Sequence, residues 1–345
     1  MLPKIVLLCN GIFLSLSMSL IAQEYELVWS DEFDKDGKPN PAYWSFEKGF
    51  VRNQELQWYQ EDNAYCKDGV LIIEGRHEKR PNPLYEKGAA DWRKSRPFIE
   101  YTSSSLKTAR KKEFLYGRFE IRARIPLESG SWPAIWTLGT TMEWPSCGEI
   151  DMMEYYRINN VPHILANVAW GTNERYKAEW RTQAIPFDHF LEKNSNWGEE
   201  FHVWRMDWDE NAIKLYLDDE LLNEVALNET VNGAWGNYTH PFKQPHYLLL
   251  NLALGANGGE PDLSAFPMKY EIDYVKVYQR KEQIIRSGQL WPDNRGEHIN
   301  AHGGGILFHN GRYYWFGEHK SENSNAALVG INCYSSSDLA NWKYE

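Results

Sequence analysis

The chain is poor in cysteine, in clustered positive charge and in long apolar runs, and each shortage removes a class of protein. Its 345 residues hold four cysteines, too few for a disulfide scaffold. Cys66, Cys147 and Cys333 are an odd set without metal-ligand spacing, and Cys9 falls in the N-terminal apolar stretch. A Cys66–Cys147 disulfide stays open, with nothing in the sequence to support it. Net charge is −11, and the one basic run, Arg110-Lys111-Lys112, reads as a solvated loop or strand start. An acidic surface argues against nucleic acid and anionic membranes as partners. Beyond the first 22 residues no segment is apolar enough to cross a bilayer, and no repeat or low-complexity tract is present.

The N-terminal stretch itself reads as a targeting signal. Lys4 is followed by Ile5 to Leu8 and Ile12 to Ile21, and Ala22 offers a small residue for cleavage before Gln23. Asn10 and Gly11 interrupt the run, so a spanning helix is the weaker reading. A signal peptide over 1–22 predicts a protein that is secreted, periplasmic or held at the cell surface.

In surplus are aromatic side chains: 16 Trp and 20 Tyr, within a composition that is 42% hydrophobic. Flat, half-apolar ligands such as sugar rings stack on these groups, although aromatics also favour strands and cores. The negative surface disfavours a heavily sulfated glycan and is compatible with a neutral one.

From Gln23 to Arg280 the pattern is strand after strand with no long helix. Phe119, Ile121, Ala123 and Ile125 alternate with Arg118, Glu120, Arg122 and Arg124, a period of two that sets one face in a core. Ile213, Leu215 and Leu217 do the same before a turn at Asp218-Asp219. Further strands are expected over Gly69 to Gly75, Ser131 to Leu138, Gly148 to Tyr155, Ile164 to Trp170, His202 to Trp208, His246 to Leu254 and Tyr270 to Tyr278. Many strands separated by Gly, Pro, Asn and Asp turns predict an all-β sandwich or barrel. A boundary is expected after Tyr278. The remaining 281–345 holds two or three short strands, too little for a strong core, and it stops inside a strand-like pattern. A truncated second domain is the expectation.

Trp144-Pro145-Ser146-Cys147-Gly148-Glu149-Ile150-Asp151-Met152-Met153-Glu154-Tyr155 carries the chemistry. Acidic residues are depleted in strands, so three within six positions need a reason. On a regular strand Glu149 and Asp151 share a face and Glu154 points away. A β-bulge at Met152-Met153 would return Glu154 to that face. Packed carboxyls cannot all stay ionised, so one pKa rises. Retaining glycosidases need that asymmetry in two carboxyls roughly 5–5.5 Å apart. The Glu149 and Glu154 Cα atoms would lie about 13 Å apart at ~3.3 Å per residue, a gap that two inward-leaning side chains can close. The competing readings are an exposed acidic strand or a calcium site.

Gly148-Glu149-Ile150-Asp151-Met152-Met153-Glu154 resembles the signature of glycoside hydrolase family 16 in its laminarinase-like form. Trp29-Ser30-Asp31-Glu32-Phe33, Asn53-Gln54-Glu55-Leu56-Gln57-Trp58-Tyr59, Tyr116-Gly117-Arg118-Phe119-Glu120, Trp132-Pro133-Ala134-Ile135-Trp136 and Ile272-Asp273-Tyr274-Val275-Lys276-Val277-Tyr278 follow in the family's order. The resemblance covers 23–280. It implies a concanavalin-like β-jelly-roll sandwich with a cleft, and a retaining, endo-acting mechanism with no cofactor for catalysis. Glu149 then matches the nucleophile, Glu154 the acid/base and Asp151 the assisting carboxylate. Trp132, Trp136 and Trp144 match cleft aromatics, and Asn53 and Glu55 sugar hydrogen-bonders. His163 and Trp170 lie on the following strand, where the family places further substrate contacts. A structural calcium implied by the family would take Glu32 and Asp273. The expected partner is a polysaccharide, and the expected state a monomer.

Two departures bear on substrate. The loop Gly255-Ala256-Asn257-Gly258-Gly259-Glu260-Pro261-Asp262 lacks the Trp found in many β-1,3-glucanases of the family, and Ala169-Trp170 stand where a second histidine is common. In the tail, Asp293 to Gly305, Tyr313 to Glu318 and Cys333 to Ser336 resemble the start of a glycoside hydrolase family 43 propeller, closest to exo-β-1,3-galactanases. That tilts the expected substrate towards a β-1,3-galactan, with a β-1,3-glucan as the alternative. A non-catalytic carbohydrate-binding module and a transglycosylase are the remaining rivals. Unpaired apolar strands in 281–345 are expected to lower solubility.

Overall fold

The computed structural model describes residues 25–280, 288–321 and 324–345; the expected signal peptide lies outside them. Up to Arg280 the strands in chain order begin with β1 Tyr25–Asp31, β2 Ser45–Phe46, β3 Gln57–Tyr59, β4 Ala64–Lys67, β5 Val70–Pro81 and β6 Phe98–Ser103. There follow β7 Ser105–Lys107, β8 Glu113–Phe114, β9 Gly117–Arg124, β10 Ser131–Gly139, β11 Glu149–Ile158 and β12 Val161–Gly171. The last are β13 Ala178–Pro186, β14 His202–Trp208, β15 Ala212–Leu217, β16 Glu220–Ala226, β17 His246–Leu254 and β18 Met268–Arg280. The α-helices described are short: Trp92–Ser95 and Asp188–Lys193.

These strands make two sheets of jelly-roll type. One runs β16-β15-β14-β9-β18-β5-β6-β3, with β1 added on β18 and β4 on β5. The other runs β13-β12-β11-β10-β17-β7-β2, with β8 added on β17. Alternation explains which side of each strand enters the core. From the first sheet come Phe119, Ile121 and Ala123 of β9 and Trp204, Met206 and Trp208 of β14. From the second come Ile150, Met152 and Met153 of β11 and Leu248, Leu250, Leu252 and Leu254 of β17. Each such side chain contributes about 1.5–3 kcal/mol by leaving water.

The other face of β9 carries charge, as its alternation predicts. Arg118 donates twice to Asp207 (2.6 and 2.9 Å), and Arg124 twice to Glu271 (2.5 and 2.7 Å). Cross-strand pairs of this kind add little individually and keep the sheet's outer face soluble. The Asp218-Asp219 turn joins β15 to β16 with both residues at positive φ, 46° and 68°, the twist a two-residue hairpin needs.

The second sheet differs. Its central strands are buried on both sides: β10 is covered from Ser131 to Thr137 and β17 from Leu248 to Leu254. Ala134, Trp136 and Leu249, with Leu138 and Tyr247, form a separate apolar group on the face turned away from the main core. That face is where the acidic segment of β11 emerges.

Cys66 and Cys147 are both buried and free. They sit on different sheets, Cys66 in β4 and Cys147 just before β11, and burial pushes each thiol up to about 12. No disulfide joins them.

Residues from Lys281 form a second compact unit. It contains more strand than the sequence predicted: β19 His302–His309, β20 Arg312–Ser321, β21 Ser324–Ser336 and β22 Lys343–Tyr344 form one antiparallel sheet in that order. Ile299, Ala301, Tyr334 and Trp342 make its small core. Ile306, Leu307 and Phe308 stay more than half exposed, a patch prone to association. A chain ending at Arg280 is expected to stay in the soluble fraction more fully than the 345-residue chain; equal soluble yields in parallel expression would refute this.

Candidate active site

Strand β11 lies between β10 and β12 near the middle of its sheet. Glu149 faces Leu138 of β10 and Ala169 of β12; Asp151 faces Trp136 and Asn167; Glu154 faces Ala134 and Leu165. Between Asp151 and Glu154 the chain advances three residues while β12 advances two, from Asn167 to Leu165. The extra residue is a β-bulge. Met152 and Met153 are both buried in the core, at 1% and 0% exposure, and Glu154 returns to the face of Glu149 and Asp151. Glycine is required just before the strand. Gly148 has φ +81°, and a Cβ there would come within 2.8 Å of the Pro241 side chain.

Each carboxylate has its own holders. The Trp144 indole N–H donates to Glu149 Oε2 at 2.5 Å. Trp132 Nε1 donates to Glu154 Oε1 at 2.9 Å, and Asn167 Nδ2 to Glu154 Oε2 at 2.8 Å. Asp151 is fully buried and shares a hydrogen bond with Glu149.

The electrostatics separate the three groups. Burial lifts all of them. Asp151, repelled as well by both glutamates, is held well above the carboxylate range, so it stays protonated and can donate to Glu149. Glu154 rises to about 7: burial dominates, the Trp132 hydrogen bond opposes it, and Glu149 and Glu55 add repulsion. Glu149 has a cation on its side, because Arg52 favours its ionised form after Trp144 and Asp151 have done the same. The arrangement thus favours charge on Glu149 and sets beside it, on one face, a carboxylic acid that titrates near neutrality.

A supporting network reaches the site from the segment before β3. The Arg52 guanidinium lies 5.0 Å over the Trp136 ring and pairs with Glu47. Glu55 is buried; it accepts from Gln57 at 2.6 Å and from Asn53 at 3.3 Å. Tyr59 lies between Glu55 and Asn251, and Asn251 accepts from Trp136 Nε1 at 2.7 Å.

Most expected site residues therefore share one face. Trp132 and Trp136 are 8% exposed there, and Trp144 stands at the edge with 38% exposure. Asn53 is exposed, with positive φ (53°). His163 pairs with Tyr156, which follows Glu154 on the same face, and Tyr156 meets the Trp132 ring edge-on at 5.6 Å. Trp170 does not join them. Counting from Asn167, alternation turns Val168 and Trp170 inward, and the Trp170 indole is part of the core. Glu32 and Asp273 do not converge on a metal either. Lys276 neutralises Glu32 at 3.3 Å and Arg122 neutralises Asp273 at 2.5 Å. Among the described residues no group of three His, Cys, Asp or Glu is placed to hold an ion.

Sequence reading missed Arg52, Tyr59, Asn167 and Asn251. The signal for the two asparagines was present, since each interrupts an apolar strand (Ile164 to Val168, Leu248 to Leu252), and a buried amide must be paired. Two concavities elsewhere on the molecule, one lined by Leu56, Arg96 and Phe98 and one by Phe190, Trp197 and His202, contain none of the site residues.

The comparisons agree with this chemistry. The model of the glycosyl hydrolases family 16 matches residues 54–276. A β-glucanase of Rhodothermus marinus is 38% identical over 279 residues, 75% of this chain and 86% of its own. A keratan-sulfate endo-1,4-β-galactosidase of Sphingobacterium multivorum is 28% identical over 78% of this chain and 59% of its own. Two other relatives are spanned over only 34% and 38% of their length. Among solved structures, one from work on endo-acting O-glycanases with which human gut microbiota initiate mucin breakdown is 36% identical, with TM-score 0.66, covering 75% of this chain and 92% of that one. The laminarinase catalytic domain of Thermotoga maritima is 31% identical, with TM-score 0.60, covering 74% and 98%. Fold and site thus define an endo-acting glycoside hydrolase. The chain belongs to glycosyl hydrolases family 16.

Three changes probe the site. Deleting Met152 leaves four steps from Glu149 to Glu154, so the strand runs regularly with both glutamates still on one face, at the loss of one buried methionine, about 2–5 kcal/mol. Thermal melting should fall by many degrees while the folded fraction keeps part of its activity, whereas Met153→Leu, a volume-conserving change, costs under about 1.5 kcal/mol. A deletion variant that folds but loses all activity would show that the bulge sets the spacing of the two glutamates and not only the face of Glu154. Trp132→Phe removes a donor that favours ionised Glu154, so its pKa rises further above 7. Because the protonated form is the acid, the alkaline limb of the kcat/KM–pH profile should move to higher pH; an unmoved or lowered limb would contradict this assignment.

Proposed function

We propose that the protein is a retaining β-glycosidase of neutral β-1,3-linked polysaccharide, with Glu149 as nucleophile, Glu154 as acid/base and Asp151 as the group that orients Glu149. The observation that carries this reading is the bulged strand, which sets Glu149, whose charge Trp144 and Arg52 favour, beside a Glu154 that titrates near 7. The Glu149 carboxylate attacks the anomeric carbon while Glu154 gives its proton to the departing glycosidic oxygen. A water, deprotonated by the now anionic Glu154, then attacks the same carbon and releases Glu149. Protonated Asp151 keeps Glu149 in one rotamer and withdraws charge from it as the glycosyl bond forms. Trp132, Trp136, Trp144, Asn53, Glu55 and His163 supply the stacking and hydrogen-bonding surface.

The preferred polymer is a β-1,3-galactan such as the arabinogalactan backbone. Support comes from the loop 255–262, which carries no tryptophan, and from the similarity to proteins named for O-glycan and galactosidic substrates. The second unit adds to it: a four-stranded antiparallel sheet is the form of one propeller blade, read here as the first blade of a family 43-like domain acting on the same polymer. The similarity to β-glucanase and laminarinase favours a β-1,3-glucan as the second reading. A polymer of either kind requires the export that the sequence of residues 1–22 predicts.

Laminarin and debranched arabinogalactan, digested in parallel by wild type and Glu149→Gln, test the proposal. Oligosaccharides from one polymer, released first as the β-anomer by NMR, are expected. The variant should lose three or more orders of magnitude in kcat, about 4 kcal/mol of barrier or more at 1.36 kcal/mol per tenfold. Residual activity in the variant would remove Glu149 as nucleophile, and α-anomers would make the enzyme inverting. Glycosyl transfer to added sugar outpacing hydrolysis would make it a transglycosylase, and binding without cleavage a binding module.

A further inference from the structure

Trp180 of β13 takes no part in the site as drawn from sequence, and its placement needs a reason. It pairs with Ala169 of β12, and Ala169 pairs with Glu149 of β11. Directly opposed residues of antiparallel strands share a face. The indole therefore stands on the face of the carboxylates, in the same cross-sheet row as Glu149. Two strand spacings separate them, about 10 Å, which is the span of roughly two pyranose rings.

The fold makes no use of this ring. Trp180 is 41% exposed, on the outermost strand of its sheet, and among the described residues its indole makes no hydrogen bond or ring contact. Its neighbours Glu179 and Arg181 turn to the other face, Arg181 lying 5.6 Å over the core residue Trp170. A part-exposed indole on an edge strand invites aggregation, so the position calls for a further reason.

The hairpin bearing Trp180 is also tied to the catalytic strand. At its tip, Arg175 donates to both oxygens of Glu143 at 2.8 and 2.9 Å, and the Tyr176 hydroxyl adds a bond at 3.2 Å. Trp235 Nε1 reaches the same carboxylate at 3.1 Å, and these donors hold Glu143 down to about 2. Glu143 immediately precedes Trp144, whose indole holds Glu149. The ladder from β11 through β12 to β13, with this brace at its end, places Trp180 relative to Glu149 before any ligand arrives, which is how a binding surface avoids an ordering penalty.

We infer that Trp180 is a sugar-stacking platform for a neutral β-linked hexose unit about two rings from the scissile bond, so that the enzyme favours chains long enough to reach it. The inference rests on the proposed glycosidase activity. The apolar face of a pyranose covers the indole, and the gain appears only for chains that extend across β12 to β13.

The test uses the full chain on a ladder of oligosaccharides from whichever polymer it cleaves. Wild type should gain in kcat/KM as the chain lengthens past the shortest cleaved substrate. Trp180→Ala should lose about tenfold on long chains, through KM, match wild type on the shortest one, and melt at the wild-type temperature; Trp180→Phe should restore most of the loss. An unchanged length dependence, or an equal loss at every length, would overturn the platform while leaving the enzyme assignment intact. Wild type that neither cleaves nor binds any chain in calorimetry would overturn the glycosidase reading, and the platform with it.

Discussion

One extra residue in β11 is the constraint on which the site depends. Around it the strand has two demands to meet: Met152 and Met153 must both enter the core, and Glu149, Asp151 and Glu154 must all stay out of it. A regular alternation carried on from Glu149 and Asp151 would leave Met153 outside and turn Glu154 into the core. Leaving one methionine exposed forfeits about 1.5–3 kcal/mol, and burying a carboxyl without a partner costs more. The bulge meets both demands at the loss of ladder hydrogen bonding at one position. The slipped register with β10 and β12, and the row in which Trp132, Trp136 and Asn167 meet the carboxylates, follow from it.

Bringing three carboxyls to one buried face creates a second problem, which the surroundings solve unequally. Asp151 has no cation and stays protonated; Glu154 has two carboxylates against it and titrates near 7; Glu149 has Arg52 and two donated hydrogen bonds. Arg52 itself is anchored by Glu47 and laid over Trp136, so the charge that distinguishes Glu149 is set by packing several strands away. Repulsion that would destabilise an ordinary strand becomes a division of labour between two glutamates.

The outward row of β9 and the inner rows of β14 and β17 were legible because a period of two survives wherever one face is core and the other water. The bulge was legible for the same reason in reverse: two adjacent methionines between carboxyls break the period. Trp170 was misread because its meaning depends on parity counted from Asn167, and Asn167 becomes a reference only once it is seen to hold Glu154. The partners of Glu32 and Asp273 were not legible either: each meets a basic side chain more than a hundred residues distant in sequence. The tail was underestimated because β21 pairs with both β20 and β22, a closure not visible strand by strand.

By itself the sequence determined the all-β sandwich, the acidic triad and the family to which they belong, because strand periodicity and a dense local motif are written within a few residues of one another. Tertiary structure alone decided which tryptophans face the carboxylates, which cysteines stay apart and which glutamate keeps its charge. Each of those depends on register between strands and on neighbours brought from distant parts of the chain, and a shift of one residue in register would reverse it.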